Sequence, residues 1–131
     1  MDTHARVLFG AAALFNFAVA AALLFPPLQL GPWMGIPVVS GVELQIFNVA
    51  GALIACFGYG YWLVARNWRK FRPFIEIAVL GKMLAVIAVT VPAVMGAASW
   101  RLPALASGDL MFAALFLQFL KRTAPAMPAD S

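Results

Sequence analysis

The sequence predicts an all-α fold: an integral membrane four-helix transmembrane bundle, N-in/C-in. Three observations carry this. Of 131 residues, 64% are hydrophobic and only 11% charged, whereas a water-soluble domain needs about a quarter of its residues charged to cover its surface. The apolar residues gather into four stretches of about 20 residues, the length of helix that crosses a ~30 Å hydrocarbon layer. The nine basic residues fall very unevenly between the connections, and in a membrane protein that unevenness sets orientation. The composition also excludes a disulfide scaffold, because Cys56 is the sole cysteine, as well as a charged disordered tail and a nucleic-acid binder.

The elements follow in order. The first helix, about 7–25, runs from Val7 to Phe25 without a charge and is closed by Pro26-Pro27, which cannot continue a helix. Nineteen residues without a charge are long for the core of a signal peptide, so this segment is expected to be kept as a membrane span. The connection from Pro26 to Glu43 is rich in Pro, Gly and Trp and is expected to form an ordered or re-entrant loop. The second, third and fourth helices are expected at about 44–65, 74–98 and 102–120. Residues 1–122 then make a single transmembrane domain, and 123–131, rich in Pro and Ala, a short polar tail. There is no internal repeat and no room for a soluble domain.

Orientation follows from the basic residues. Arg66, Arg69, Lys70 and Arg72 lie in the middle connection, Arg6 at the N-terminal end and Lys121 and Arg122 at the C-terminal end. The opposite side has only Arg101, so both termini and the middle connection are expected in the cytoplasm. Trp62, Trp68, Trp33 and Trp100 all fall at expected interface depths, where an indole is first read as an anchor.

Two ionisable residues lie within the spans. Leaving either unpaired in hydrocarbon costs at least ~2.5–3.5 kcal/mol. Lys82 is about 12 Å in from Phe74 and Asp109 about 16 Å in from Leu120, nearly level, so a Lys82–Asp109 pair between helices three and four is the simplest way to satisfy both. Asn16, about 13 Å in, and Gly58, about 10 Å in, fall in the same layer. Asn48, Gly51, Ala55 and Gly58 make a narrow small-residue face on helix two where another helix can come close. Tyr61, near the expected interface, adds a phenol to the layer. The candidate ligand-binding set is therefore Asn16, Gly58, Tyr61, Lys82 and Asp109. Each also has a plainer reading: the ion pair as a structural clasp, Asn16 as interhelical glue, Gly58 as packing and Tyr61 as an interface anchor. Glu76 and Gln118, within a turn of the boundary, are explained by solvation.

The residue inventory restricts the chemistry. His4 is the sole histidine, so neither a bis-histidine haem nor a zinc ligand set can be assembled, and no cofactor or metal is expected. No serine or cysteine has a histidine at a useful depth, and no Gly-rich phosphate loop is present. Catalysis by Asp109 and Lys82 on a lipid-soluble substrate has no second signal, so an enzyme is not the favoured reading.

Taken in order, Phe15-Asn16, Phe57-Gly58-Tyr59-Gly60-Tyr61, Ala65-Arg66, Gly81-Lys82 and Gly108-Asp109 resemble the small four-helix inner-membrane proteins of bacteria, a family of unknown function, and more loosely DoxX-like proteins. The resemblance implies a compact four-helix bundle in the bacterial inner membrane, with no assigned reaction. A weaker architectural likeness links it to the four-helix sterol-isomerase and sigma-2-receptor group, whose bundles enclose a pocket with intramembrane acids; here the acid is Asp109 alone.

The leading expectation is a non-enzymatic protein that binds a lipophilic small molecule or membrane lipid near Lys82 and Asp109. The alternative is a structural or accessory subunit of a homo-oligomer or larger membrane complex, with a lipid-facing stripe of Phe112, Phe116 and Phe119 meeting the partner. A third is a proton- or ion-coupled transporter.

Overall fold

The computed structural model describes residues 2–25 and 40–125. The Pro26-Pro27 stop, the connection containing Trp33 and the tail beyond residue 125 lie outside the described residues. Four helices follow one another: α1 (Asp2–Leu24), α2 (Gly41–Arg66), α3 (Arg72–Val94) and α4 (Arg101–Arg122). Each is long and apolar enough to cross a membrane.

Local chemistry sets the ends. α1 begins at Asp2, earlier than the apolar stretch, because the mostly polar residues 2–6 need no hydrocarbon and Asp2 sits favourably at the positive end of the helix dipole. Pro73 occupies the first turn of α3, where a missing N–H costs nothing. α3 stops at Val94, before the expected Ala98. Gly96 adopts φ +74°, its N–H bonds Ala93 O at 3.1 Å and the N–H of Ala97 bonds Pro92 O at 2.8 Å. That paired arrangement is the Schellman ending, which satisfies the last carbonyls and needs a left-handed residue. Hydropathy reads through Ala97 and Ala98; backbone geometry does not.

The helices associate as two pairs, α1 with α2 and α3 with α4, while backbones of different pairs approach one another at few points. Within the first pair glycines permit the contact. A Cβ at Gly51 would fall 2.8 Å from Leu24 Cγ, and one at Gly58 would fall 3.1 Å from the Phe17 ring and 3.3 Å from Asn16 Cβ. The small face expected on α2 thus receives α1 through Gly51 and Gly58, whereas Asn48 is exposed.

Rings fill the space between the pairs. Phe9 stacks on Phe116 with centroids 4.7 Å apart and meets Phe119 edge-on at 5.3 Å. Tyr61 lies 5.4 Å from Phe116 and 5.7 Å from Phe74. Lipid tails are as apolar as these side chains, so the gain is dispersion and shape rather than expulsion of water. Phe112, Phe116 and Phe119 are 7%, 0% and 1% exposed. The expectation of a lipid-facing stripe there is corrected: the stripe is the core, and outward positions on α4 belong to residues such as Leu110 and Leu117.

The core has a direction. Its buried members come from the first half of α1, the last turns of α2, the first turns of α3 and the second half of α4, which are the same end of the bundle. At that end the Asp2 carboxylate accepts hydrogen bonds from Trp68 Nε1 at 2.8 Å and Arg69 Nη1 at 3.0 Å. Arg72 donates to Leu120 O at 3.0 Å and to the Thr123 hydroxyl, closing off the carbonyl end of α4. The start of α1, the connection between α2 and α3 and the end of α4 therefore converge, and Arg6, Arg66, Arg69, Lys70, Arg72, Lys121 and Arg122 collect there while Arg101 lies at the start of α4, at the opposite end. Trp62 faces outward under the Arg66 guanidinium, 4.8 Å from its ring centroid. Trp68 instead turns inward, edge-on to Phe119 at 5.3 Å.

Candidate functional site

Where the ring-filled core ends, a polar chain crosses the bundle. Asn16 on α1 donates through Nδ2 to the carbonyl of Ile54 on α2 at 3.2 Å. Its Oδ1 accepts from Lys82 Nζ on α3 at 3.3 Å, and Lys82 donates to Asp109 Oδ1 on α4. Three hydrogen bonds thereby join all four helices. The Lys82 side chain is 4% exposed and that of Asp109 23%, so the ion pair is much better shielded on the ammonium side. No buried side-chain N or O among the described residues lacks a partner, as a low-dielectric interior demands.

Three rings complete the cage around the ammonium. The centroids of Tyr61, Phe112 and Phe15 lie 5.2, 5.4 and 5.7 Å from Lys82 Nζ, within the range of cation–π attraction. Glycines beside the charged residues make room for these rings and their neighbours. A Cβ on Gly108 would stand 3.1 Å from the Phe15 ring, and one on Gly81 3.3 Å from the Phe57 ring. The order Phe15-Asn16, Gly81-Lys82 and Gly108-Asp109 thus has a packing cause: Phe15 sits on Gly108 while Asn16 reaches Lys82.

Beyond this layer, away from the ring-filled core, the bundle is hollow. A cavity of about 340 Å³ is lined by Asn16, Tyr61, Lys82 and Asp109 at one side and by Ala50, Ile54 and other apolar residues elsewhere. A second, of about 470 Å³, shares Phe15, Val19, Ala50, Ile54, Ala85 and Asp109 with it and extends along Ala22, Phe47 and Leu105. The two adjoin across these six residues, with Asp109 on the wall of both. Leu53, itself 58% exposed, and the exposed Ala85 line the first cavity. Its wall therefore reaches accessible surface between α2 and α3.

Of the sequence-derived residues, Asn16, Tyr61, Lys82 and Asp109 meet around one cavity. Gly58 does not line it; it lies in the α1–α2 contact. Tyr61 is 1% exposed, which corrects its reading as an interface anchor; that position belongs to Tyr59 and Trp62, exposed at 55% and 42%. The Phe15 and Phe112 rings of the cage, the Ile54 carbonyl and the alanine walls escaped the sequence reading. Only the glycines preceding Lys82 and Asp109 hinted at them. Among the described residues no group of three or more His, Cys, Asp or Glu side chains is placed to hold a metal ion. Comparison with protein-family models, curated proteins and solved structures produced no match to this chain.

Proposed function

We propose that the protein is a small polytopic protein of the bacterial inner membrane, both termini cytoplasmic, that binds a lipophilic small molecule or membrane lipid within its bundle. The observation that carries this is the pair of adjoining cavities with Asp109 on both walls. Apolar walls with a few convergent polar groups are the usual make-up of a small-molecule site, and the combined space is within the range of about 300–1,000 Å³ typical of such sites. The Asn16–Lys82–Asp109 chain holds the four helices in register at the closed end, so the helices need not meet further along. A clasp and a site are here one arrangement: the hydrogen bonds fix the frame, and the frame leaves a cavity.

The orientation rests on the collection of basic residues at the end that holds the start of α1 and the end of α4, in accordance with the positive-inside tendency. The occupant is taken up laterally, between α2 and α3. Native mass spectrometry from a mild detergent tests the reading: the protein is expected to retain an apolar molecule of discrete mass, and a chain that emerges bare in every detergent contradicts it.

A further inference from the structure

We infer that the occupant of this cavity is a neutral lipophile whose polar end is a hydrogen-bond donor, a hydroxyl, seated on the free oxygen of Asp109. This rests on the cavity reading above and adds the chemistry of the headgroup.

The inference comes from counting donors and acceptors. An ammonium has three N–H donors and no acceptor. On Lys82 one meets Asp109 Oδ1 and another Asn16 Oδ1, and the ammonium is surrounded by the rings of Phe15, Tyr61 and Phe112. That leaves Lys82 at most one donor for a ligand, on an ammonium that is almost wholly buried among those rings. An anionic headgroup would have to displace Asp109 or lie beside it, and like charges at close range in low dielectric repel strongly.

Asp109 is in the opposite situation. An ionised carboxylate accepts through both oxygens, and among the described residues only Oδ1 is engaged, by Lys82. Oδ2 is left open on a side chain that lines both cavities and keeps 23% exposure. Tyr61, on the wall of the first cavity, likewise makes no hydrogen bond through its hydroxyl among the described residues, and because no sealed-off side-chain oxygen there lacks a partner, that hydroxyl keeps some accessible surface. An acceptor and a phenol on one wall fit a hydroxyl, which donates to Asp109 and accepts from Tyr61. A ketone or ester satisfies only the phenol. An ammonium headgroup would add a net charge to a site where Lys82 already balances Asp109, at the cost any unpaired charge carries at this depth. The remaining walls are apolar over the length of both cavities, which suits a hydrocarbon tail.

The test uses the wild-type protein in lipid nanodiscs and displacement of one reporter, a tritiated hexadecanol. Unlabelled hexadecanol, hexadecyl methyl ether, hexadecanoate and hexadecylamine compete. A charge-assisted hydrogen bond of ordinary strength predicts that the alcohol competes at least about ten-fold better than its methyl ether. It should also surpass the carboxylate and the amine. Equal competition by alcohol and ether, or preference for the carboxylate or the amine, overturns the headgroup assignment while leaving the cavity reading intact. Saturable hexadecanol binding that the Ala50→Phe variant leaves unchanged also overturns it, since the alcohol then binds elsewhere. If none of the four displaces the reporter and the reporter itself binds only in proportion to lipid, this inference and the cavity reading fall together. The Tyr61→Phe variant, which leaves the ring in the Lys82 cage, is expected to lower hexadecanol affinity about three- to ten-fold with little change for the ether; an equal loss for both contradicts the role given to the phenol.

Discussion

Lys82 and Asp109 meet across the α3–α4 contact, and the same ammonium also binds Asn16 of α1, so one buried charge is shared by three helices. Removing one partner leaves the other uncompensated in a low-dielectric layer. Lys82→Met and Asp109→Leu should each destabilise the protein by about 2–4 kcal/mol, less than for a fully dry pair because Asp109 is partly exposed. The double variant should recover much of the loss. Detergent melting curves of the four proteins measure this; a double variant no better than the sum of its parts contradicts it.

Gly60 has a strict steric reason. A Cβ there would fall 2.2 Å from Phe74 Cζ, and the Phe74 ring is itself held between Phe57 and Tyr61. Gly60→Ala should lower the melting temperature, and Phe74→Leu in the same chain should return part of it. Gly10 is the control. A Cβ there meets nothing within 4 Å, so Gly10→Ala should be neutral or stabilising by about 0.5–1 kcal/mol.

Arg72 spans from the start of α3 to the end of α4 through Leu120 O and Thr123. In Arg72→Met those carbonyl-end partners are lost, and the last turn of α4 should exchange its amide hydrogens faster while the amides around Asn16 do not change. The Asp2–Arg69 pair provides the contrast. Its side chains are 63% and 67% exposed, so Asp2→Asn should have only a small, salt-sensitive effect.

Orientation is open to labelling. In a Cys56→Ser background, a cysteine at Ser99 should react with a membrane-impermeant thiol reagent in spheroplasts, and one at Lys70 only after lysis. The reverse pattern places the basic end outside and refutes the assignment.

Much of this was legible from residues, and the remainder for physical reasons was not. The four spans followed from length and apolarity, and the Lys82–Asp109 contact from counting depth along two helices, because an unpaired charge has few ways to be satisfied in hydrocarbon. Which way an apolar residue faces was not legible. Core and lipid are equally apolar to a side chain, so hydropathy could not separate the buried Phe116 from the outward Leu117. The rotation of α2 that buries Tyr61 and exposes Tyr59 is set by contacts of Gly58 and Gly60 with α1 and α3, which no single helix reveals. The end of α3 was misjudged because a left-handed glycine ends a helix irrespective of hydropathy. A cavity, finally, is where side chains fail to meet, and spacing along one helix does not encode it.

The central claim concerns the hollow half of the bundle, and filling it tests the claim most directly. Ala50 lines both cavities, whereas Leu84 points outward with 56% of its surface exposed. Native mass spectrometry of the wild type, Ala50→Phe and Leu84→Phe, released from the same mild detergent, should show a retained apolar adduct in the wild type and in Leu84→Phe and its loss in Ala50→Phe. An adduct equally abundant in all three would place the molecule on the outer surface and contradict an intramembrane site.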